Sequence, residues 1–175
     1  LYAQTAYPTS LGNGLLLGMS AGAAIVGAEK YACLPGLIPD AYRYPCQMFA
    51  YAPLNPAARS PWEIVVNARG ERFVREDHPS VHQIERGIYR QPGHRHWAIF
   101  DADMLEKSAP IIPDWTRERI ANEHQSNTMF HRAMTVSELA FRAGLNPATL
   151  TATVNDYNHS IAVGGADPYG RVSRP

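Results

Sequence analysis

The apolar positions of the chain fall into short, separated runs. Trp62 with Ile64-Val65-Val66, ahead of Asn67, has the pattern of a strand, Ala68 to Glu71 that of a turn, and Arg72-Phe73-Val74 that of a second short strand. Together they predict a β-hairpin. His96 to Phe100 predicts a buried strand. Helical signals surround these runs. Ser10 or Asn13 can cap a helix reaching about Lys30, and Gly14, Gly18 and Gly22 recur along it every four residues. A helix face almost without side chains suits close packing of another backbone or of a ligand. Pro79 to Tyr89 predicts a short helix with proline in its first turn. Asp101 caps a helix through about Lys107, and Asp114 or Thr116 caps another over 115–121. Thr135 with Glu138 forms a capping box, and the helix it opens stops at Gly144. Asn146-Pro147 starts the last long helix, which runs to about Ala162 and ends at Gly164-Gly165, before a turn at 167–171. Residues 33–61 hold Pro35, Pro39, Pro45, Pro53, Pro56 and Pro61 and predict irregular chain, packed down by Tyr42, Tyr44, Phe49 and Tyr51. A hairpin set among separate helices gives an α+β fold: a small β-hairpin or sheet with surrounding helices.

Charge narrows the range of partners. Lys plus Arg number 16 and Asp plus Glu number 16, so the 175-residue chain is formally neutral. Neutrality gives no electrostatic reason to bind nucleic acid or an anionic membrane surface. The most apolar stretch, Leu11 to Ala28, is broken by glycines and polar residues, so no membrane span is expected. The chain opens at Leu1 without an initiator Met or a signal peptide, and stops at Pro175 without a structural stop signal, so a fragment of a longer protein is expected. Cys33 and Cys46 form neither a CxxC pair nor a disulfide framework. Two reduced thiols and a cytoplasmic setting are the default, and a single bridge stays open.

Candidate chemistry is sparse. Gly12-Asn13-Gly14 with Gly18 misses the dinucleotide fingerprint, because the third glycine is one residue late and no strand precedes it. His78 and His82 are four apart, and His94 and His96 form an HxH, yet neither pair belongs to a closed zinc motif. Glu76-Asp77 lies near Arg59, Arg72, Arg75 and Arg86 in sequence. Such a set serves either proton transfer and carboxylate binding or plain ion pairing, and ion pairing is the commoner use. No Gly-x-Ser-x-Gly is present, and neither cysteine sits in a nucleophile motif.

The order of the motifs says more than any one of them. Ser10-Leu11-Gly12-Asn13-Gly14 through Gly22-Ala23-Ala24 resembles the T-G-D-G…A-G-A helix of the fumarate reductase/succinate dehydrogenase-like FAD flavoproteins. Residues 64–77 resemble that family's V-N-x-x-G-x-R-F-x-x-E hairpin, and Trp97 to Asp101 its following hydrophobic-F-D strand. Thr135 to Ala140, Gly144 to Pro147, Leu150, Thr153-Val154, Tyr157-Asn158 and Gly165 to Arg171 are similar to its C-terminal motifs.

The resemblance implies that residues 1–30 are a remnant of an FAD-domain helix and 31–175 a cap, or substrate, domain. It implies FAD in the intact protein and none bound by this piece alone. The implied partners are the FAD-binding domain of the same parent chain and a small-molecule substrate. The implied reaction is hydride transfer at a carbon–carbon bond, with the cap binding substrate and moving a proton. Asn13 replaces the flavin-contacting Asp of the family. Arg59 matches the relay arginine eight residues before Asn67, but the acid three residues earlier is Pro56 here. The proton-donating arginine eight residues after Arg72 is Ser80. The implied catalytic candidates are therefore Arg59, Glu76, His78, Ser80 and His82, with Asn13 toward the cofactor and no metal. Arg72 is expected either near substrate or as an ion-pair brace of the hairpin. A steroid-like or tricarboxylate-like substrate suits the missing fumarate apparatus better than fumarate. Two other classes compete: a metal-binding module built on His78, His82, His94 and His96, and a non-catalytic interaction domain.

Overall fold

The computed structural model describes residues 9–27, 35–42 and 46–173. The elements in chain order are α1 (Asn13–Ser20), β1 (Leu37–Pro39), β2 (Met48–Tyr51), β3 (Ile64–Val66), α2 (Val81–Tyr89), β4 (Trp97–Ile99), α3 (Ala102–Lys107), α4 (Arg117–Asn122), α5 (Val136–Arg142) and α6 (Pro147–Ala162). Short 3-10 turns follow α2 and α4. The strands form two antiparallel pairs, β1 with β2 and β3 with β4, and Val65 lies opposite Ala98. The fold is α+β, as the run pattern predicts.

The middle strand organises the core. All of Ile64, Val65 and Val66 are buried. Side chains alternate across a strand. Val65 joins Leu54, Val74, Ile84 and Ile88 on one side. Ile64 and Val66 join Ala140, Leu145 and Leu150 on the other. A strand covered on both faces has to be apolar throughout, which explains the unbroken Ile-Val-Val run. A third cluster gathers Ala50, Ala52, Trp62, Leu105, Ile111, Ile112 and Ile120 around β2, α3 and α4.

Turn chemistry fixes the rest. Gly70 takes φ 84, and a Cβ placed there would lie 3.2 Å from the Leu150 backbone nitrogen. Only a residue without a side chain lets the 68–71 turn sit against α6 this closely. Thr153 Oγ1 donates to Gly70 O at 2.8 Å and pins the contact. Leu150 itself is fully buried. Leu150→Ala is expected to destabilise the chain by about 3 kcal/mol, read as a lower urea midpoint with an unchanged slope.

Several expectations need correction. The first helix covers only 13–20. Its N-cap is Gly12 at φ 76, and Gly22 and Gly27 also take left-handed φ, which ends the helix early; residues 28–34 lie outside the described ones. The hairpin is reduced to one bridge, Val66 with Arg72, because on that edge of β3 the Val65 N–H is taken by the Glu76 carboxylate, while β4 pairs along the opposite edge. That β4 is half-buried rather than buried. The proline-rich region contains β1 and β2, which Pro35 and Pro53 flank, while Pro39 is the last residue of β1. α2 begins at Val81 with Ser80 at its N-cap, so Pro79 lies ahead of the helix rather than in its first turn. Thr116 caps α4, while Asp114 sits at φ 64 in the preceding turn. Thr135 accepts from Glu138 N–H as the capping box requires, but the Glu138 carboxylate turns to Arg142. The helices at 102–107 and 147–162 match the expectation, with Asp101 and Asn146 as side-chain caps. Cys46 is buried, and Cys33 lies outside the described residues.

Candidate functional site

Most of the sequence-named residues lie between Arg59 and His82, on the segment that enters β3, turns at Gly70 and leads into α2. Arg59 stands in the loop ahead of β3, with a side chain only 10% exposed. Its Nη1 donates to Glu63 Oε2 at 2.9 Å, and its Nη2 to Glu63 Oε1. Glu63 also accepts the Trp62 N–H at 3.0 Å. With Pro56 three residues before Arg59, the compensating acid comes from four residues after it. The Arg59 Nε is buried and finds no hydrogen-bond partner among the described residues.

Glu76 and Arg72 form the centre of a buried charge network. Glu76 Oε1 accepts from Val65 N–H at 3.1 Å and from Arg72 Nε at 2.9 Å, and Oε2 from Arg72 Nη2 at 2.6 Å. Arg72 Nη1 donates to Asp167 Oδ2 at 2.6 Å. Arg171 lies 3.6 Å from Glu76 and donates to the Glu63 and Pro61 carbonyls at 2.7 and 2.8 Å. The rings of Tyr157 and Tyr169 stand 4.9 and 5.0 Å from the Arg72 guanidinium, at cation–π distance. Burial opposes the charge of Arg72, but Glu76 and then Asp167 outweigh it and hold its proton more firmly than usual. Burial likewise opposes the charge of Asp167, while Arg72 and the Arg171 and Tyr169 N–H groups keep its carboxyl below the usual range. Two cations thus balance two carboxylates in the interior, with fork geometry on both sides. Glu76 is 3% exposed and fully occupied. The geometry makes it a brace, and Arg72 the ion-pair partner that holds the turn.

Asp77, next in the chain, faces the other way. Its Oδ1 accepts from Arg75 Nε at 2.7 Å, and its Oδ2 from the N–H groups of Val172 and Ser173 at 2.8 and 2.7 Å. Burial would raise its carboxyl, but the Arg75 hydrogen bond and the two backbone donors bring it down to about 2.

Beyond Asp77 the segment reaches the surface. Ser80 N–H donates to His78 Nδ1 at 3.0 Å. The same Nδ1 lies 3.2 Å from the Ser80 carbonyl, so it accepts from the N–H when bare and donates to the carbonyl when protonated. His78 and Ser80 are both half-buried at the entrance to α2. His82, one turn on, is exposed and meets Glu85 at 2.8 Å. Asn13 opens α1 and is exposed. The structure therefore groups His78 with Ser80, buries Glu76, pairs Arg59 with Glu63 and leaves His82 to solvent. Among the described residues, no three His, Cys, Asp or Glu side chains converge as a metal site would require, so the histidine metal module has no geometry behind it. Asp167 and Tyr169 were beyond sequence reasoning as partners of Arg72, because 95 and 97 residues separate them from it along the chain. The only signal was their membership of the C-terminal motif.

No protein-family model matches the chain. It is 25% identical over 167 residues to a probable fumarate reductase, Ifc3, of Shewanella frigidimarina, covering 95% of this chain and 25% of that protein. It is 31% identical over 162 residues to the 3-oxosteroid 1-dehydrogenase of Mycobacterium tuberculosis, and 32% over 158 residues to that of Mycolicibacterium smegmatis, covering 86% and 83% of this chain. The open conformation of a flavocytochrome c3 fumarate reductase superposes with a TM-score of 0.61 at 23% identity, over 94% of this chain and 26% of that one. The chain is homologous to a segment of the fumarate reductase and 3-oxosteroid 1-dehydrogenase proteins. It spans about a quarter of their length, 25% and 28% for the first two. These homologues are oxidoreductases by name, and the fold of this fumarate reductase-like chain recurs inside a flavocytochrome. No helix among its described residues is long and apolar enough to cross a membrane.

Proposed function

We propose that this chain is the cap of an FAD-dependent oxidoreductase acting on a CH–CH bond, with residues 1–30 belonging to the flavin domain and 31–175 forming the substrate-facing lid. The observation that carries the reading is α1. Leu15, Leu16 and Leu17 are 60%, 60% and 73% exposed, Leu11 is 73% and Val26 94% exposed, and the helix has no buried residue. An apolar helix left this bare is explained by a neighbour that covers it. The resemblance supplies that neighbour as the rest of the FAD domain.

The residues of α1 fit a cofactor edge in a limited way. Asn13 stands in its first turn, no side chain caps its N–H groups, and nothing lies within 4 Å of where a Cβ would sit on Gly14 or Gly22. Asn13 would hold FAD there, and FAD supplies the hydride chemistry when bound. The cap's own part is binding and proton transfer. His78 is the best placed of the candidates. Its Nδ1 is engaged by the Ser80 backbone, which leaves Nε2 as the ring nitrogen to exchange a proton, and it lies beside Ser80, where the family's proton-donating arginine would stand. Arg59 is held ready by Glu63 but nearly buried. Ser80 acts on His78 through its backbone, and His82 lies at the rim.

The test is the parent open reading frame, expressed whole. It is expected to purify with bound flavin and to oxidise or reduce a carbon–carbon bond of a carboxylate or steroid substrate. His78→Gln in that protein should lower turnover at unchanged flavin content by a factor of about 100, the usual range for a lost proton donor. A parent frame without a flavin-binding segment, or purified without flavin, overturns the cap reading. A His78→Gln protein with full turnover removes only the proton-donor assignment.

A further inference from the structure

A second set of side chains lies outside the Arg59–His82 segment. A groove of ≈ 420 Å³ opens where Tyr42, after β1, meets residues 124–132 between α4 and α5. Its wall includes Tyr42, His124, Phe130, His131, Arg132 and Arg142. Tyr42 O–H donates to Thr128 O at 2.7 Å, and its oxygen lies 3.3 Å from His131 Nε2. The hydroxyl proton is already engaged, so His131 meets Tyr42 through Nε2–H. His124 Nδ1 lies 2.9 Å from the Ala121 carbonyl, which can only accept, so that nitrogen carries the proton and Nε2 a lone pair. The volume falls within the range of small-ligand sites.

The charges around this groove are mostly of one sign. Among the described residues, Arg132 has a single distant contact, Nη1 to Ala121 O at 3.4 Å. Arg142 pairs with Glu138 at 2.6 Å, but both are half-exposed, and such pairs contribute little. A guanidinium has five N–H donors, so Arg142 can serve Glu138 and a second acceptor together. Two ionisable groups register the local field. Burial and then the Arg142 charge both pull His131 below its usual pKa. Burial raises Tyr42, and the Arg95 charge works against that rise. Three arginines against Glu138 leave a positive potential, above a floor of neutral hydrogen-bonding groups and the Phe130 ring. Phe130 is itself held in place, stacked 5.7 Å from Trp115 and edge-on to Phe49 at 6.4 Å.

We infer that this groove binds a small carboxylate-bearing molecule, with Arg132 and Arg142 gripping the carboxylate and Tyr42, His131 and Phe130 forming the floor. Planar forked donors match a carboxylate bidentately, which a lone ammonium does not. The carboxylate also relieves the repulsion between Arg142 and an imidazolium at His131, so binding favours proton uptake by His131. The inference stands on the groove alone and holds whether or not the chain caps a flavin domain.

The experiment is an NMR titration of the histidine Cε1–H signals of the 175-residue chain with succinate, at ionic strength held constant with sodium chloride. Succinate is expected to saturate the shifts of His124 and His131 and to raise the His131 pKa. Arg132→Gln and Arg142→Gln, both at exposed positions, are each expected to weaken binding about tenfold, the loss of one charge-assisted contact. The proposal is overturned if succinate leaves both imidazoles unmoved, if sodium chloride alone produces the same shifts, or if both glutamine variants bind as the parent does. A flavin-free parent protein would sink the cap reading and leave this result untouched.

Discussion

Arg72→Met is expected to destabilise the chain by about 3–5 kcal/mol, the range for breaking a buried pair and leaving its partner charged. Glu76 would then keep only Val65 N–H and the more distant Arg171, and Asp167 would lose its cation. Urea unfolding at pH 7 measures the effect directly. Adding Glu76→Gln to Arg72→Met should recover part of the loss, because the stranded negative charge is gone. The double-mutant cycle then isolates the pair term. If Arg72 instead faced substrate, Arg72→Met would fold with nearly parental stability and lose only ligand affinity. An unchanged midpoint therefore rejects the brace assignment.

Acid is expected to weaken the fold in two stages. Desolvation of the His96 ring lowers its pKa to about 4, against the ordinary 6.5. The unfolded chain therefore takes up a proton between these values that the folded chain refuses. Stability is complete above pH 6.5 and declines as pH falls to about 4. Because the ring is only half-buried, about 3 kcal/mol is the upper bound for this stage. Asp77 acts in the next window. Its folded value of about 2 lies below the ordinary 3.8, so its contribution is whole above 3.8 and disappears toward pH 2. That stage amounts to about 2 kcal/mol. Urea midpoints measured from pH 7 down to 3 should show the first decline in the parent and its absence in His96→Gln. A flat profile between 6.5 and 4 in the parent would reject the buried-imidazole account.

What the sequence revealed depended on range. Caps act within three residues, so Asp101, Thr135 and Asn146 announced their helices correctly. Strand pairing also depends on side chains, and the adjacent candidate 72–74 keeps only the Val66–Arg72 bridge because the Glu76 carboxylate takes the Val65 N–H on that edge, while β4 pairs along the other. Glycine periodicity suggested a long first helix, but it does not reveal that Gly12, Gly22 and Gly27 would take left-handed φ and confine it. Within the site, Arg72 as an ion-paired brace was legible because Glu76 lies one helical turn's distance along the chain. Asp167 and Arg171, which complete the network, come from the far end, and local pattern carries no trace of that pairing. The Tyr42–His131 groove was invisible for the same reason, since 89 residues separate its two central groups.

The grip of Asp77 on the Val172 and Ser173 amides reaches beyond stability. It fastens the outgoing backbone to the residue immediately before His78. Tension on the polypeptide past Ser173 would thus be delivered through Asp77 to its two chain neighbours, Glu76 and His78, together. The Asp77 carboxylate thereby couples the position of the 172–173 backbone to the set of the 76–78 stretch.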